Sequence, residues 1–401
     1  MMIENVDFSN QETLRMEDLT RYHQELVGQL AQVRSLRQLK GHPAFQKKQT
    51  VIDKTLKSYQ VFKPTSTPSL SSKSFIRMTA WNIERGLAYE GIAHTLKAHP
   101  EISQSDIFLL TEVDLGMART GNRHVAKDLA SELNCYGVFA PAYLNLDKGN
   151  GGEANIKGSN TLAIQGHAIL SRFPITDVEI VSLPNGKDHM SGKERQIGEE
   201  TVIVASIQTP QGLIHCSPVH LSAHSSRKHR MIQMKFLLQA ISKKNGPTIV
   251  GGDWNTTTYN AQKPYRAILG FWRRVAMGVH YVILNHYPYP EKYFEKNLFS
   301  LLKKHGFETD NCNIPGGCTL HYDFNDPFYR MSLSDWVPQW CFKFIDWALR
   351  SHQGRCSFKV DWFAQRGLHV RNNMIAQDLP RGEFRYSDHT PIITDVELVN
   401  G

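Results

Sequence analysis

Residues 248–256, Thr-Ile-Val-Gly-Gly-Asp-Trp-Asn-Thr, join a short β-type run to a glycine pair and then to the polar side chains of Asp253, Asn255 and Thr256. Thr248–Val250 is short, β-branched and bounded by glycine, so it reads as a buried strand. The glycines give the backbone freedom where the strand stops. Asp253 and Asn255 then stand at a strand's carboxyl end, where the loops of an α/β sheet carry chemistry on a rigid support. In isolation the same residues suit an Asx turn. What separates the two readings is whether the pattern recurs.

It recurs along the chain. Phe75–Trp81 reads as a strand and leads into Trp81-Asn82-Ile83-Glu84, and Ile107–Leu110 leads into Thr111-Glu112-Val113-Asp114. Gly212–His220 ends in Pro218-Val219-His220-Leu221, Phe358–Phe363 contains Val360-Asp361-Trp362-Phe363, and Ser387-Asp388-His389 stands near the end of the chain. Further strands are expected at 161–171 and 201–207, with helices at 88–98, 122–133, 226–243 and 293–305. Strands alternating with helices predict an α/β fold.

Ahead of this region the texture is different. Leu19, Tyr22, Leu26, Leu30 and Val33 recur every three or four residues within 11–40, which predicts an amphipathic helix, and a second helical stretch over about 44–62 holds Phe45, Val51, Ile52, Leu56 and Tyr59. Pro64–Ser74 is rich in Pro and Ser and reads as a linker. The domain plan is a helical extension and linker over 1–74, then the α/β domain over 75–401. Residues 257–300 are aromatic and basic and read as an elaboration between core elements.

The chain of 401 residues is 41% hydrophobic and 21% charged, ordinary for a globular protein able to bury a core without disulfides. Forty-six Lys and Arg against 38 Asp and Glu give a net charge of +8, which favours a polyanionic partner, nucleic acid first among them. None of the six Cys forms a C-x-x-C pair, which argues against a structural zinc site, and scattered thiols suggest a reducing compartment. The N-terminus is acidic and polar, unlike a signal peptide, and no run of 18 apolar residues exists. A cytoplasmic location is the expectation, and composition leaves the oligomeric state open.

The acid-bearing motifs suggest one chemistry. Carboxylates gathered at neutral pH repel one another unless a cation sits among them. Glu112, Asp253 and Asp388, with Asn side chains, offer hard oxygen ligands that suit Mg²⁺ or Mn²⁺ better than zinc. Such a cation polarises a phosphoryl oxygen and orients a water. A His beside an Asp supplies a proton or stabilises developing charge.

The ordered set WNIE, TEVD, GHAILSRFPI, VHL, GGDWNT, VDWF and SDHTPI resembles the endonuclease/exonuclease/phosphatase superfamily over residues 75–398. The pairing of GGDWN with SDHTP is its most specific part. The resemblance implies a DNase I-like, four-layer α/β/β/α sandwich and Mg²⁺- or Mn²⁺-dependent hydrolysis of phosphoesters in DNA, RNA, sphingomyelin or inositol phosphates. It implies Glu112 as the direct metal ligand with Asn82 beside it, and Asp253 as the group that orients or deprotonates the attacking water. Asn255 and His220 would contact phosphate, Asp388 would assist the metal or leaving group, and His389, oriented by Asp361, would act as acid–base or electrostatic residue. Asp346 competes for that orienting role, but VDWF followed by SDH matches the family's order. Thr111 stands where relatives more often have Gln. His220 stands where exonuclease III-type enzymes have Tyr, and the inositol 5-phosphatase blocks are absent.

Several bland alternatives stand beside these. His220 on an apolar strand suits a satisfied core histidine, and His220, His224 and His229 lack the partner that would complete a zinc site. Asn82 suits a turn cap, and Asp388-His389 suits a helix cap. Arg119, Arg123 and His124 are as well explained by a solvated face as by phosphate binding. The glycine-rich loop 149–152 reads as flexible, 226–230 as a solvated helix start, and the aromatics of 271–293 as packing. A nuclease is the first expectation for function. A lipid phosphodiesterase or small phosphomonoesterase is the second, and an inactive scaffold on the same fold the third.

Overall fold

Ile107–Leu110 is aliphatic and aromatic throughout, and it becomes the first half of a strand buried on both faces. The computed structural model of the protein describes residues 16–69, 73–256, 260, 262–327, 330 and 338–399. The larger sheet runs in the order β1 (Gln60–Phe62), β4 (Tyr136–Asn145), β5 (Ile164–Ser171), β3 (Ile107–Leu115), β2 (Ile76–Arg85), β15 (Ile392–Leu398) and β14 (Leu368–Ile375), with β7 (Gln196–Gly198) also pairing β4. The second sheet is β13 (Asp361–Arg366), β10 (Thr248–Asp253), β9 (Gly212–Pro218), β8 (Glu200–Thr209) and β6 (Ile175–Leu183). A separate ribbon pairs β11 (Leu320–Asp323) with β12 (Arg355–Phe358).

The two sheets pack face to face. Met78, Leu109 and Ile169 of the larger sheet share one core with Ile203, Ile214, Ile249 and Phe363 of the second. The outer face of the larger sheet lies under α4 (Tyr89–Ala98) and α5 (Val125–Glu132). That of the second lies under α6 (Arg227–Ile241) and α10 (Lys296–Lys304). Four layers result, the α/β/β/α sandwich that the order of motifs implies. Between α6 and α10 the chain forms α7 (Pro264–Ala276), α8 (Val279–Tyr281) and α9 (Pro290–Tyr293), and α11 (Phe342–Leu349) follows the ribbon's first strand.

The N-terminal region departs from two uninterrupted helices. It divides into α1 (Met16–Gln29), α2 (Leu36–Gly41) and α3 (Pro43–Leu56), with Ser35 capping α2 by accepting from Gln38 N. Gln60–Phe62, read as the end of a helix, is instead an edge strand with Gln60 opposite Phe139. Its alternation is the reason: Val61 packs toward the inter-sheet core and Phe62 toward the outer one. Leu26, Leu30, Leu39, Phe45 and Ile52 share a core with Leu146, Met190 and Ile197. Residues 1–15, and 70–72 of the linker, lie outside the described residues. The strand read at 358–363 is two strands: Lys359 and Val360 cross from ribbon to sheet, where Thr319 Oγ1 accepts from Asp361 N at 3.2 Å.

All six cysteines are free. Among the described residues no single helix is long and apolar enough to cross a membrane.

Candidate active site

The acid-bearing motifs converge because each strand beside one starts or ends at the same rim. Two ladders slip there: β2 against β3 between Asn82 and Arg85, and β3 against β5 between Leu110 and Val113. The slips free Glu84 and Glu112 from strict alternation. Glu84, Glu112 and Asn255 take positive φ of 45°, 50° and 50°. Such left-handed backbone costs about 1–3 kcal/mol per residue and concentrates at functional sites. Gly252 explains the glycine pair: its φ is +139°, and a Cβ there would lie 2.4 Å from Val219 O. No other residue lets β10 run so close to the chain that delivers His220.

Asp253 is the hub. Its Oδ2 accepts from Asn82 Nδ2 at 3.2 Å and Asn255 Nδ2 at 3.1 Å, while Oδ1 accepts from Asn255 N at 2.9 Å. Asn82 Nδ2 also donates to Glu112 Oε1 at 3.1 Å, so one amide bridges the two carboxylates. His220 Nε2 lies 3.5 Å from Glu112 Oε1 and 3.6 Å from Asp253 Oδ2. His389 Nε2 lies 3.6 Å from that same Asp253 oxygen, and its Nδ1 is 2.8 Å from Asp361 Oδ2. Asp346 pairs with Arg330 instead. Asp388 lines the same cavity, and its N–H donates to Glu84 Oε2 at 3.0 Å. All eight residues picked from the sequence are therefore neighbours.

Glu200 and His167 carry no signal of that kind. Glu200 Oε1 lies 2.7 Å from His220 Nδ1, and Oε2 lies 3.0 Å from His167 Nε2. Neither residue belongs to an acid-bearing motif, and sequence reasoning gave neither a role, although His167 lies in the GHAILSRFPI block. For Glu200 the hint is alternation in Gly198-Glu199-Glu200, where Glu199 is exposed and Glu200 buried.

Charge is arranged in opposed pairs. Burial pushes Asp253 up to about 6, with Asp361 adding to it while His389 and His220 oppose. Burial also raises Glu112, yet Arg85, His220 and Asn82 hold it well below the ordinary range. Burial alone would lower both histidines, but Glu200, Glu112 and Asp253 hold His220 well above its usual value. Asp361, Asp253 and Asp388 do the same for His389. Glu200 falls to about 2, because His220 and His167 outweigh burial. Burial and Asp388 raise Glu84 to about 7, against the pull of Arg385.

Several residues that looked like surface belong to the interior. Arg119 is buried, donating to both oxygens of Asp114 at 2.6 and 2.9 Å and to Glu153 and Glu194 at 2.9 Å each. Its guanidinium is committed to three carboxylates. Arg123 is exposed and pairs with Glu90, and His124 caps α5. Arg230 is buried against Glu295 at 2.9 Å, so the 226–230 segment is only partly a solvated start. His229 Nε2 bonds Pro184 O at 2.7 Å. The Thr111 hydroxyl is buried with no hydrogen-bond partner among the described residues, so it does not replace a longer side chain's contact.

The cavity measures about 290 Å³ and is lined by Glu84, Glu112, Asp253 and Asp388, faced by Lys187, Lys193, His220 and His389. Its donor set can be tested against a metal. Asp253, Asp361 and His389 bring ligand atoms within 4.8 Å of one another, as do His167, Glu200 and His220. The carboxylates around His220 and His389 favour their protonated forms, which offer no lone pair. The remaining donors are carboxylate and amide oxygens, which fits a hard divalent cation.

The endonuclease/exonuclease/phosphatase family model matches residues 79–389. No curated protein matches the chain. Among solved structures it is similar to an endonuclease/exonuclease/phosphatase from Beutenbergia cavernae (16% identity, 81% of this chain and 72% of that one, TM-score 0.48). It is also similar to the human Nocturnin catalytic domain with bound sulfate (15%, 85% and 97%, 0.43). A third is the 3'-5' exonuclease from Neisseria meningitidis (14%, 80% and 100%, 0.44). The family match spans most of the chain and begins and ends on the strands and loops that carry the cavity; this protein belongs to the endonuclease/exonuclease/phosphatase family.

Proposed function

We propose that the chain is a divalent-metal-dependent phosphoesterase that cleaves a phosphodiester bond by water attack. One observation carries this reading: the Asp253 carboxylate is bracketed by two asparagine amides and two imidazoliums, with the Glu112 carboxylate across the Asn82 bridge. Glu112 and Asp388, with Asn82 beside them, would hold Mg²⁺ or Mn²⁺. The bound ion would polarise a phosphoryl oxygen.

The chain's own residues supply the rest. Asp253, raised by burial to about 6, is close enough to neutrality to accept a proton from water. As the water oxygen bonds to phosphorus, the opposite P–O bond breaks. His389, charged and anchored by Asp361, donates its proton to the departing oxygen. His220, kept charged by Glu200, stabilises the negative charge on the non-bridging oxygens. Asn255 orients the phosphate beside the base. Convergence of the complete set supports an enzyme over a scaffold.

The net charge of +8 supports nucleic acid as first substrate. A lipid phosphodiester is the second reading, favoured by the exposed aromatic surface beside α7. Hydrolysis of bis-p-nitrophenyl phosphate should need added Mg²⁺ or Mn²⁺, stop with EDTA, and vanish in Asp253→Ala. Equal rates for wild type and that variant would remove Asp253 from the reaction. Of the two substrates, nucleic acid predicts affinity that falls steeply with salt.

A further inference from the structure

The helix α7 is built the wrong way round for a protein that meets only water. Tyr265, Leu269, Trp272 and Ala276 recur at intervals of four, three and four, and all four face solvent, with Leu269 65% exposed. α11 and the turn that leads into it repeat the arrangement: Trp340, Phe344 and Trp347 recur at four and three, with Trp340 and Trp347 60% and 59% exposed. Trp272 meets Phe344 edge-on at 5.2 Å, so the two stripes form one surface. Met277 is exposed at a 100° bend, where Gly278 has φ +92°, and Tyr281 and Leu284 are exposed beyond it. Contiguous apolar surface of this kind marks a docking site in soluble proteins.

Its charge is equally one-sided. Residues 254–290 contain no Asp or Glu, but they contain Lys263, Arg266, Arg273 and Arg274. Between the start of α6 and α7 lies a basin of about 670 Å³ lined by Arg227, Lys228, His229, Arg266 and Arg273. Leu269 lines the basin and stands in the apolar stripe as well. Elsewhere arginines are spent on carboxylates, as Arg77, Arg119, Arg195 and Arg230 are. Here, among the described residues, Arg266 bonds neutral groups, Gln262 Oε1 at 3.0 Å and Tyr265 Oη at 3.2 Å, and Arg227 bonds Phe294 O. Among the described residues none of the four basin cations Arg227, Lys228, Arg266 and Arg273 pairs with an acid.

We propose that the α7–α11 surface docks on an anionic lipid bilayer, the apolar stripes entering the headgroup–acyl boundary and the arginine basin taking the headgroup phosphates. Trp and Tyr favour that boundary because each ring has an apolar body and a polar tip. An amphipathic helix of 13 residues is too short to span a bilayer and suits lying in its plane. A second copy of the chain is the weaker occupant, since a two-fold contact would set arginine against arginine. A nucleic acid strand would use the rings and the cations but leave Leu269, Met277 and Leu284 uncovered. The surface is also tied to the catalytic rim: Lys359 N donates to Tyr287 O at 3.2 Å, and Thr256 Oγ1 donates to Lys359 O at 2.8 Å. This inference goes beyond the phosphoesterase reading and stands whether or not that reading holds.

The test is sedimentation of the full chain with vesicles of phosphatidylcholine alone or mixed with phosphatidylserine, without any activity measurement. The protein should pellet with the serine-containing vesicles, and brominated acyl chains should quench its tryptophans. Leu269→Glu with Trp272→Glu should lower partitioning roughly tenfold or more, the scale set by moving a carboxylate into the boundary. Arg266→Glu with Arg273→Glu should remove the preference for phosphatidylserine, and Leu213→Glu, an exposed site on β9, should change nothing. The proposal is overturned if wild type stays in the supernatant with no bromolipid quenching, or if both double variants pellet like wild type. It is equally overturned if α7 substitutions abolish binding to a single-stranded oligonucleotide, or dissociate a dimer, while vesicles are ignored.

Discussion

His220 and His389 approach one oxygen from separate strand ends: each Nε2 lies 3.6 Å from Asp253 Oδ2. Each imidazole has its own carboxylate behind it, Glu200 at 2.7 Å and Asp361 at 2.8 Å. The site therefore contains two carboxylate–imidazole pairs around one shared carboxylate. Removing either backing group should uncouple its histidine from the centre without touching the other.

For Glu200 the expected outcome is a change in titration. Burial would lower His220, and the Glu200 carboxylate does most to oppose it, holding the imidazole well above the ordinary histidine value and charged through neutral pH. Glu200→Gln should lower the His220 midpoint, followed by imidazole NMR. The rate should fall most above that midpoint, where His220 becomes neutral. An unchanged titration would show that Glu200 does not set the charge.

The Asp361–His389 pair should behave as one unit. Asp361→Asn and His389→Ala should each lower kcat by roughly 10²–10⁴-fold, the range for acid–base help. The double variant should be no slower than His389→Ala by itself, because members of a unit are not additive. Multiplying losses would mean that Asp361 acts on something other than His389.

What could be read from the chain beforehand depended on distance along it. Asp253 and Asn255 are legible because an aliphatic run, a glycine pair and an acid stand within one short stretch, and Gly252 is required there by Val219. Glu200 is not legible, since its partner His220 is 20 positions away and only one of two adjacent glutamates turns inward. Burial is equally invisible to composition: Arg119 and Arg230 read as surface cations, whereas both are buried against carboxylates. β1 was hidden because three residues of strand follow closely on a helix and pair with residues far downstream.

The acid limb of the rate follows from Asp253. Burial and Asp361 raise it to about 6, and a base works only when deprotonated. The rate should therefore fall as pH drops through about 6 and approach tenfold per unit below it. A cation bound beside the carboxylate favours its charged form. Raising metal concentration should accordingly move the limb to lower pH. A profile flat down to about pH 4, the ordinary carboxylate range, would mean that Asp253 is not the proton acceptor.

The N-terminal helices should prove to be part of the folding unit. Leu30 is fully buried, and its carbonyl accepts from Arg195 Nη1 at 2.6 Å while Arg195 grips both oxygens of Asp147. Leu30→Ala removes buried methyl groups at a point where helix, arginine and sheet meet, and should cost about 2–5 kcal/mol. The readout is a lower Tm, with kcat retained below the transition because no residue of α1–α3 lines the cavity. Deletion of residues 1–70 is harsher. It strips Leu146, Met190 and Ile197 of their cover and removes β1 from the edge of β4, leaving an open strand. That truncation should be insoluble or aggregate on expression. A soluble, active fragment with an unchanged Tm would instead make the extension an appendage that packs on a sandwich able to stand without it.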